Sequence, residues 1–470
     1  MHEKFASWEG ARMRVSREVA AHTPRSRLSS VGLLAVVPLV SLLVGGCRTP
    51  DVRRPLDETS IVQRVVEARE SRPAGTPLPL AEATERMRRN NPRVRNARAA
   101  YRNALRVASV RTPRPNPSVD LGPLLVGSPD ILSGVRLGME LMFGWTVPLT
   151  GRLRMQDDVN AVRASLALVE AAGVERTEYL SLRGELLAVM MWADALRASQ
   201  ELLSAAETSV AAAQTAAEAG AATKLDVGML ELETAGQRAE IVEAEEGRIR
   251  AAHAVAQRIG MSLSDAASVY SAGIPPLPEV PPSLERLRRL AIEQHPRLAI
   301  LRAKYTVAER ELRLEMARRY PDLGIGLGFE DEVEDQILGL PLGIEIPLYD
   351  RNQQGVARAY ARRCQLRHEF ASLVIEIYGR IEASRASVGV ATQRLHAIEA
   401  QLVPAEEVRR LAEQMRDEAG GLDMLRFLEV FRTTRRVRLQ MVAARRDVYE
   451  AWSSLEAAVG SPMLVHVDAP

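Results

Sequence analysis

Apolar residues recur every seven positions inside the segment 152–217, and this spacing predicts one very long helix. The recurring residues are Leu182, Val189, Leu196, Leu203 and Val210. A seven-residue apolar repeat is typical of a coiled coil, where each apolar side chain packs into a facing helix. At 1.5 Å per residue, such a helix extends about 100 Å. A second helix of this kind is predicted over about 352–418. Both are followed by a break and a further helix, with glycines at the breaks and at the later ends: Gly220, Gly260, Gly420 and Gly460.

Two pairs of short segments alternate between apolar and small or polar residues, which predicts four strands. The segments are 117–127 with 135–149, and 321–330 with 337–348. Alternation over about ten residues is the weak signature of a membrane β-barrel, although a soluble hairpin with one buried face shows the same pattern. The smallest bacterial barrels have eight strands, so four cannot close a pore. Several chains would therefore share one barrel.

The two halves of the chain match each other, which indicates a duplication. Pro92–Tyr101 resembles Pro296–Tyr305, and each of these segments is predicted to begin a helix, over about 92–113 and 296–319. The strand exits Val147-Pro-Leu and Ile346-Pro-Leu also correspond. These matches predict a first repeat over residues 92–260 and a second repeat over residues 296–462. A linker, 261–295, joins the two repeats, and a tail, 463–470, follows the second.

The N-terminal residues have the features of an export signal. Five arginines precede an apolar run from Val31 to Val44, which is too short for a comfortable membrane span. Val44-Gly-Gly-Cys47 resembles a bacterial lipoprotein signal, so 1–46 would be removed and Cys47 would receive lipid. The alternative is an uncleaved anchor with an incidental cysteine. The segment 47–91 is then an anchor and equatorial region.

Composition excludes several classes of function. Charged residues make up 26% of the chain, yet the formal net charge is only +2, so no nucleic-acid partner is indicated. The two cysteines make no disulfide framework, and the seven histidines form no metal-ligand spacing. No phosphate-binding loop, nucleophile elbow or zinc-hydrolase motif occurs. We therefore expect no enzyme, no cofactor and no bound metal.

The ordered set of elements resembles the outer-membrane efflux protein family of TolC type, and in particular its lipid-anchored members. The resemblance rests on the repeated helix–strand–strand–helix–helix order, the two Pro-Leu strand exits and the hairpin Glu218-Ala-Gly-Ala-Ala-Thr-Lys-Leu-Asp-Val227. It implies a mainly α fold with a small β part, in which long coiled-coil helices and four membrane strands per chain build a trimeric α/β-barrel.

The resemblance also implies partners and a location. The chain would be a homotrimeric outer-membrane channel subunit, anchored in outer-membrane lipid and extending into the periplasm. A periplasmic adaptor protein and an inner-membrane pump, of the resistance–nodulation–division type, would complete the efflux system for metal ions or drugs. The alternative is a periplasmic coiled-coil structural lipoprotein without a pore.

Residues near the two helical turns are candidates for a periplasmic gate or an adaptor contact. They are Gly220, Asp226, Asp417, Gly420 and Asp423. Threefold symmetry would turn each aspartate into a ring of carboxylates, which favours cations. Asp226 and Asp423 could equally cap the helices that start after the glycines.

Overall fold

The computed structural model describes residues 57–67, 78–127, 135–220, 222–261, 276, 280–332, 335–417 and 424–463. The chain divides into two units, Met1–Arg69 and Glu70–Pro470. Within the described part of the first unit lies one helix, α1 (Glu58–Glu67). The elements below all belong to the second unit.

Helices and strands follow one another in a similar order in the two halves. The first half contains α2 (Leu80–Asn90), α3 (Pro92–Ser109), β1 (Ser118–Gly127), β2 (Val135–Pro148), α4 (Arg152–Glu218) and α5 (Lys224–Ile259). The second half contains α6 (Leu284–Gln294), α7 (Pro296–Ala317), β3 (Asp322–Glu332), β4 (Asp335–Gly339), β5 (Leu342–Ile344), α8 (Gln353–Asp417) and α9 (Met424–Val459). The mainly α fold with a small β part is confirmed.

The long helices form two antiparallel hairpins, α4 with α5 and α8 with α9. The predicted coiled-coil positions Leu182 and Val189 are buried in the first hairpin, where they pack with α2 and the end of α5. Met190 and Met191 of α4 lie in a second apolar core that includes residues of α6, α7, α8 and α9. Apolar burial therefore joins the two halves through α4.

The strands form one antiparallel sheet in the order β1-β2-β3-β4, and β5 also pairs with β3. Ser118 lies opposite Gly144, and Pro148 lies opposite Asp322. The second half therefore adds its strands directly to those of the first.

The predicted fourth strand, 337–348, is wrong as a continuous element, because Pro341 divides it into β4 and β5. Proline has no N–H to donate to a strand ladder. The Pro341 carbonyl instead accepts a hydrogen bond of 2.8 Å from the Gly326 backbone N–H.

Each half also has a helix that the sequence reasoning did not predict, α2 before Pro92 and α6 before Pro296. The helix predicted over 92–113 is α3, and it ends earlier, at Ser109. A proline-rich connection to β1 follows it. The repeated structure thus contains a helix, a turn, a second helix, strands and a long hairpin.

Candidate functional site

The first helical turn, between α4 and α5, is closed by local hydrogen bonds. Gly220 has a φ of +78°, a left-handed conformation that glycine adopts without steric penalty. The Thr223 hydroxyl accepts from the Asp226 N–H at 3.2 Å, and the Asp226 carboxylate accepts from the Thr223 N–H at 2.8 Å. This reciprocal pair is a capping box. Hydrogen bonds from the Thr223 hydroxyl and then its backbone lower the pKa of Asp226.

The structure thus shows Asp226 in the capping arrangement that the sequence left open as an alternative to a gate. Gly220 forms the turn itself. Asp417 is the last residue of α8, but its side chain lies outside the described residues. Gly420, Asp423 and the lipidation candidate Cys47 lie outside them as well. The gate and lipidation roles remain predictions.

Just above the turns, ion pairs tie the two hairpins together. Glu233 of α5 contacts Arg435 of α9 at 2.8 Å and Arg432 of α9 at 3.1 Å. The Glu233 side chain is 13% exposed, so this pair of contacts is largely shielded from water. Counted along the helices, these residues lie about 12–17 Å from the start of α5 or α9. The two hairpins therefore reach nearly the same level.

A proline, Pro404, lies inside α8 near this level. Pro404 cannot donate the backbone hydrogen bond expected of a helical residue. Next to it, the buried Thr434 hydroxyl of α9 donates to the Ala405 carbonyl at 3.1 Å. Glu406, one residue farther, forms ion pairs with Arg438 of α9 and with Arg409. These contacts hold α9 against the segment of α8 that follows the proline.

The two hairpins are joined a second time by a buried ion pair far above the turns. Arg183 of α4 and Glu456 of α9 are 3.2 Å apart, and their side chains are 3% and 2% exposed. Glu456 also accepts from the Met463 N–H at 2.6 Å. A buried pair is costly to break from one side, because the remaining charge would lie unpaired in the interior. The sequence reasoning missed this pair, since neither residue belongs to a recognisable motif.

The sheet has two chemically different faces. Register places large apolar residues side by side on one face, where many are exposed: Val119, Leu121, Phe143, Trp145, Ile325, Leu327, Phe329, Leu338, Leu342 and Ile344. Glycine is the most frequent residue on the other face, which also carries Met142 and Ile337, and there Glu140 lies directly opposite Glu330 on the neighbouring strand. Among the described residues, no protein partner pairs with either carboxylate. A row of exposed apolar side chains of this kind is suited to lipid.

No helix in the described ranges is long and apolar enough to cross a membrane. No group of histidine, cysteine, aspartate or glutamate side chains in the same ranges has the arrangement of a metal site.

The chain is similar in sequence to a family of efflux proteins and to a metal-resistance protein. Residues 287–461 match the outer membrane efflux protein family. The chain is also 24% identical over 181 residues to the cobalt-zinc-cadmium resistance protein CzcC of Cupriavidus metallidurans. That alignment covers 38% of this chain and 43% of CzcC, so it spans less than half of the relative.

Solved structures share the fold over most of the chain. CusC superposes with a TM-score of 0.65 at 14% identity, covering 82% of this chain and 92% of CusC. The outer membrane protein VceC of Vibrio cholerae gives a TM-score of 0.64 at 16% identity, covering 81% and 96%. The outer-membrane channel OprN gives 0.66 at 15% identity, covering 82% and 90%. Residues 287–461 therefore match the outer membrane efflux protein family, and the chain shares the fold of these solved outer-membrane channels.

Proposed function

We propose that this chain is one subunit of an outer-membrane channel that passively conducts cargo, delivered by an inner-membrane pump through a periplasmic adaptor, to the outside. The two-faced sheet carries the proposal. Its exposed apolar face suits lipid, and its face of glycines and carboxylates suits a water-filled pore. A pore-free periplasmic rod would have no need of such a sheet. The matched family consists of channels and not of enzymes.

Both edges of the described helical layer carry apolar positions that no helix of the same chain covers. On α5 they recur at alternating spacings of three and four residues: Leu225, Gly228, Leu232, Ala235, Ala239 and Val242. On α8 a second series, in which each spacing is either three or four residues, consists of Ala397, Ala400, Pro404, Val408, Leu411 and Met415. Spacings of three and four are those of a coiled-coil contact. We infer that α5 of one copy packs antiparallel to α8 of the next, and that three copies close the ring.

Cross-linking tests the ring and its register together. Leu232 and Val408 each lie about 12–14 Å from the turn end of their helix, so Leu232→Cys and Val408→Cys should join neighbouring copies. The variants are made with Cys364→Ser, which removes the described native thiol. The control pairs Leu232→Cys with Val390→Cys, which is exposed on α8 but about 27 Å farther from the turn. Covalent trimers with the first pair only support the ring; equal cross-linking by the control would contradict the register.

The face opposite the apolar one gives the pore a negative lining. Threefold repetition of Glu140 and Glu330 would place six carboxylates at one level, and such rings favour cations. The name of CzcC points to divalent metal ions as cargo, while CusC and OprN leave other substrates open. Single-channel recording in planar bilayers should show a cation preference that falls when Glu140→Gln and Glu330→Gln are combined. A wild-type protein that forms no channels would refute the proposed function.

The turn residues provide a second, independent position for control of the pore. We propose that the turns at Gly220 and Gly420 lie at the periplasmic entrance, where Asp226, Asp417 and Asp423 would face the pore or the adaptor. Asp226→Asn keeps a capping oxygen and removes the charge. A changed cation preference without loss of trimers would support the gate role of Asp226. An unchanged preference would leave Asp226 as a helix cap.

The lipid anchor is proposed on the Cys47 signal alone. Mass spectrometry of the mature N-terminus should find an acylated Cys47 and no residue before it. Cleavage at another position, or an unmodified cysteine, would contradict the anchor and leave the channel proposal intact.

A further inference from the structure

Polar contacts fix the level at which the first half passes from helix to strand. In the segment before β1, the Thr112 N–H and hydroxyl donate to the Asp157 carboxylate of α4 at 2.7 Å and 2.6 Å. After β2, Arg152 pairs with Asp322, the first residue of β3, at 2.5 Å. The segments that precede β1, follow β2 and precede β3 therefore meet at the foot of the sheet.

The fourth passage is tied to the same level. After β5, the Asn352 side-chain amide donates to the Glu315 carbonyl at 2.9 Å and to the Glu315 carboxylate at 2.7 Å. Glu315 lies in the last turns of α7, shortly before β3. All four connections between helix and strand are thus held together at one end of the sheet.

Each of these connections carries an exposed arginine. We call the set the foot belt: Arg111, Arg114, Arg154, Arg319 and Arg351. None of the five forms an ion pair with any described residue, although the Arg351 guanidinium donates to the Pro347 carbonyl at 3.1 Å. By contrast, Arg152 and Arg318 at the same level are paired with Asp322 and Glu315. Five guanidinium groups at the foot therefore have no carboxylate partner among the described residues.

Exposed aromatic and apolar side chains accompany the foot belt. Tyr349 is 92% exposed and Tyr320 is 65% exposed, and Leu149 and Leu348 lie beside the same connections. The exposed apolar face of the sheet begins immediately above them. Tyrosine rings concentrate where a membrane meets water, and arginine stems can cover apolar surface while the charged end stays at the boundary.

We propose that the foot belt binds the anionic headgroups of phospholipids at the periplasmic surface of the outer membrane. The inference rests on the proposed function, because it takes the sheet to be the membrane-inserted part. The guanidinium group is planar and can form two parallel hydrogen bonds to one phosphate. Basic residues beside a membrane attract anionic lipids over a short range. Phosphate groups of the lipid would then pair with the guanidinium groups that have no ion-pair partner among the described residues.

The test compares lipids on the purified full chain in a neutral detergent. Native mass spectrometry counts retained phosphatidylglycerol and phosphatidylcholine after both are added at equal concentration. Wild type should retain at least about threefold more of the anionic lipid. Arg111→Gln, Arg154→Gln and Arg319→Gln together should remove that preference. The matched control, Arg89→Gln, Arg95→Gln and Arg102→Gln, removes as much charge from α2 and α3 and should keep it.

A lysine version of the foot-belt variant guards against a folding defect. It retains the charge, so it should keep most of the preference. The proposal is overturned if wild type shows no preference, or if the glutamine variant keeps it. It is also overturned if inorganic phosphate displaces the lipid at equal concentration, since the site would then recognise free phosphate. Retention is measured in detergent without any current, so its failure leaves the channel proposal standing, and absent conductance leaves the lipid result unaffected.

Discussion

The two halves turn between their first two helices with the same backbone geometry but with different side-chain chemistry. Asn91 has φ −59° and ψ 122°, and His295 has φ −66° and ψ 123°. Each precedes a proline, and each accepts a hydrogen bond from the backbone N–H two residues later. Proline at the first helical position and a polar cap before it are favourable helix starts. The duplication has therefore preserved the backbone conformation and its caps.

In this comparison the first turn is the one at Asn91, between α2 and α3, and the second turn is the one at His295, between α6 and α7. The first turn is held by a buried charged network from its own half. The Asn91 amide donates to the Glu178 carboxylate at 3.1 Å and to the Arg258 carbonyl at 3.0 Å. Glu178 also pairs with Arg93 and with Arg258, and Arg258 pairs in addition with Glu185. Because Glu178 is buried, these partners are needed to offset the cost of removing its charge from water.

The second turn has His295 where the first has Asn91, and it relies on contacts from the first half. Burial, and then the positive charges of Arg297 and Arg380, lower the pKa of His295 to about 4. Arg176 of α4 reaches across from the first half, donating to the Gly460 carbonyl at 2.6 Å and to Gln294 at 3.2 Å. The comparison teaches that the first half closes its own turn, whereas the second half needs α4 to complete its end.

The largest expected effect is the loss of the buried carboxylate at the first turn. Glu178→Ala leaves Arg93 without its partner and weakens the environment of Asn91 and Arg258, so we expect about 3–5 kcal/mol of destabilisation. Denaturant unfolding followed by circular dichroism measures it. Glu382→Ala removes a half-exposed carboxylate paired with Arg288 and serves as the control. Equal losses in both variants would contradict the importance of burial.

The glycines that end α5 and α9 should rank next. Gly260 and Gly460 both have φ +75°, and an added Cβ would lie 2.6 Å from the Asn90 Cβ or 3.0 Å from the His295 Cα. At Gly220 the φ is +78°, but an added Cβ would lie within 4 Å of no described atom outside its two chain neighbours. Alanine should cost about 1–2 kcal/mol at Gly220 from the backbone alone. At Gly260 and Gly460 the contact should add about 1–3 kcal/mol. Three equal unfolding midpoints would show that these close contacts are unimportant.

The third effect is a dependence on pH that arises from His295 in the second turn. The pKa of His295 is lower in the folded chain than its ordinary 6.5, so folding disfavours the protonated form. The neutral His295 ring contributes fully to the free energy of unfolding above pH 6.5. As the pH falls towards 4, this free energy decreases by about 2–3 kcal/mol. Protonation would also remove the ring nitrogen that accepts from the Arg297 N–H.

His295→Asn copies the first turn and isolates this effect. The nearby Glu376 has a pKa lowered by its hydrogen bond with Arg297, so its contribution is lost only below its ordinary 4.5. Unfolding midpoints between pH 6.5 and 5 therefore report on His295. The variant should flatten the midpoint curve there. A curve as steep as that of wild type would contradict the assignment to His295.

Sequence periodicity predicted the long helices and most strand bounds because their patterns are long and repeated. The seven-residue apolar spacing identified α4, and the glycines at 220 and 260 identified the ends of its hairpin. The family match covers 287–461, whereas the internal repeat also identified the first half. The break at Pro341 could have been anticipated, since a proline inside a predicted strand is a warning of this kind.

The junctions could not be predicted in the same way, because they join residues that are far apart in sequence. Nothing near Arg183 or Glu456 indicates that 273 residues separate two partners of one buried pair. The helices α2 and α6 left a weak signal that was overlooked: Asn91-Pro92 and His295-Pro296 are the same cap-and-proline helix start in both copies. For the turn near Gly220, the sequence allowed Asp226 to be either a gate residue or a helix cap, and the structure shows the capping box.

The smallest expected effect concerns the exposed carboxylate at the second turn. Glu376 pairs with Arg297 at 2.8 Å, but its side chain is 39% exposed, so water screens the pair and solvates either partner when the other is lost. Glu376→Gln should therefore unfold at the same denaturant concentration as wild type at pH 7. Glu178→Ala measured alongside it provides the scale.

If Glu376→Gln were as damaging as Glu178→Ala, the second turn would depend on an ion pair of its own, and the contrast between a self-contained first turn and a dependent second turn would be false. If it is silent while Arg176→Gln lowers the midpoint, the second turn is held from the first half, as the contacts of Arg176 with Gly460 and Gln294 indicate.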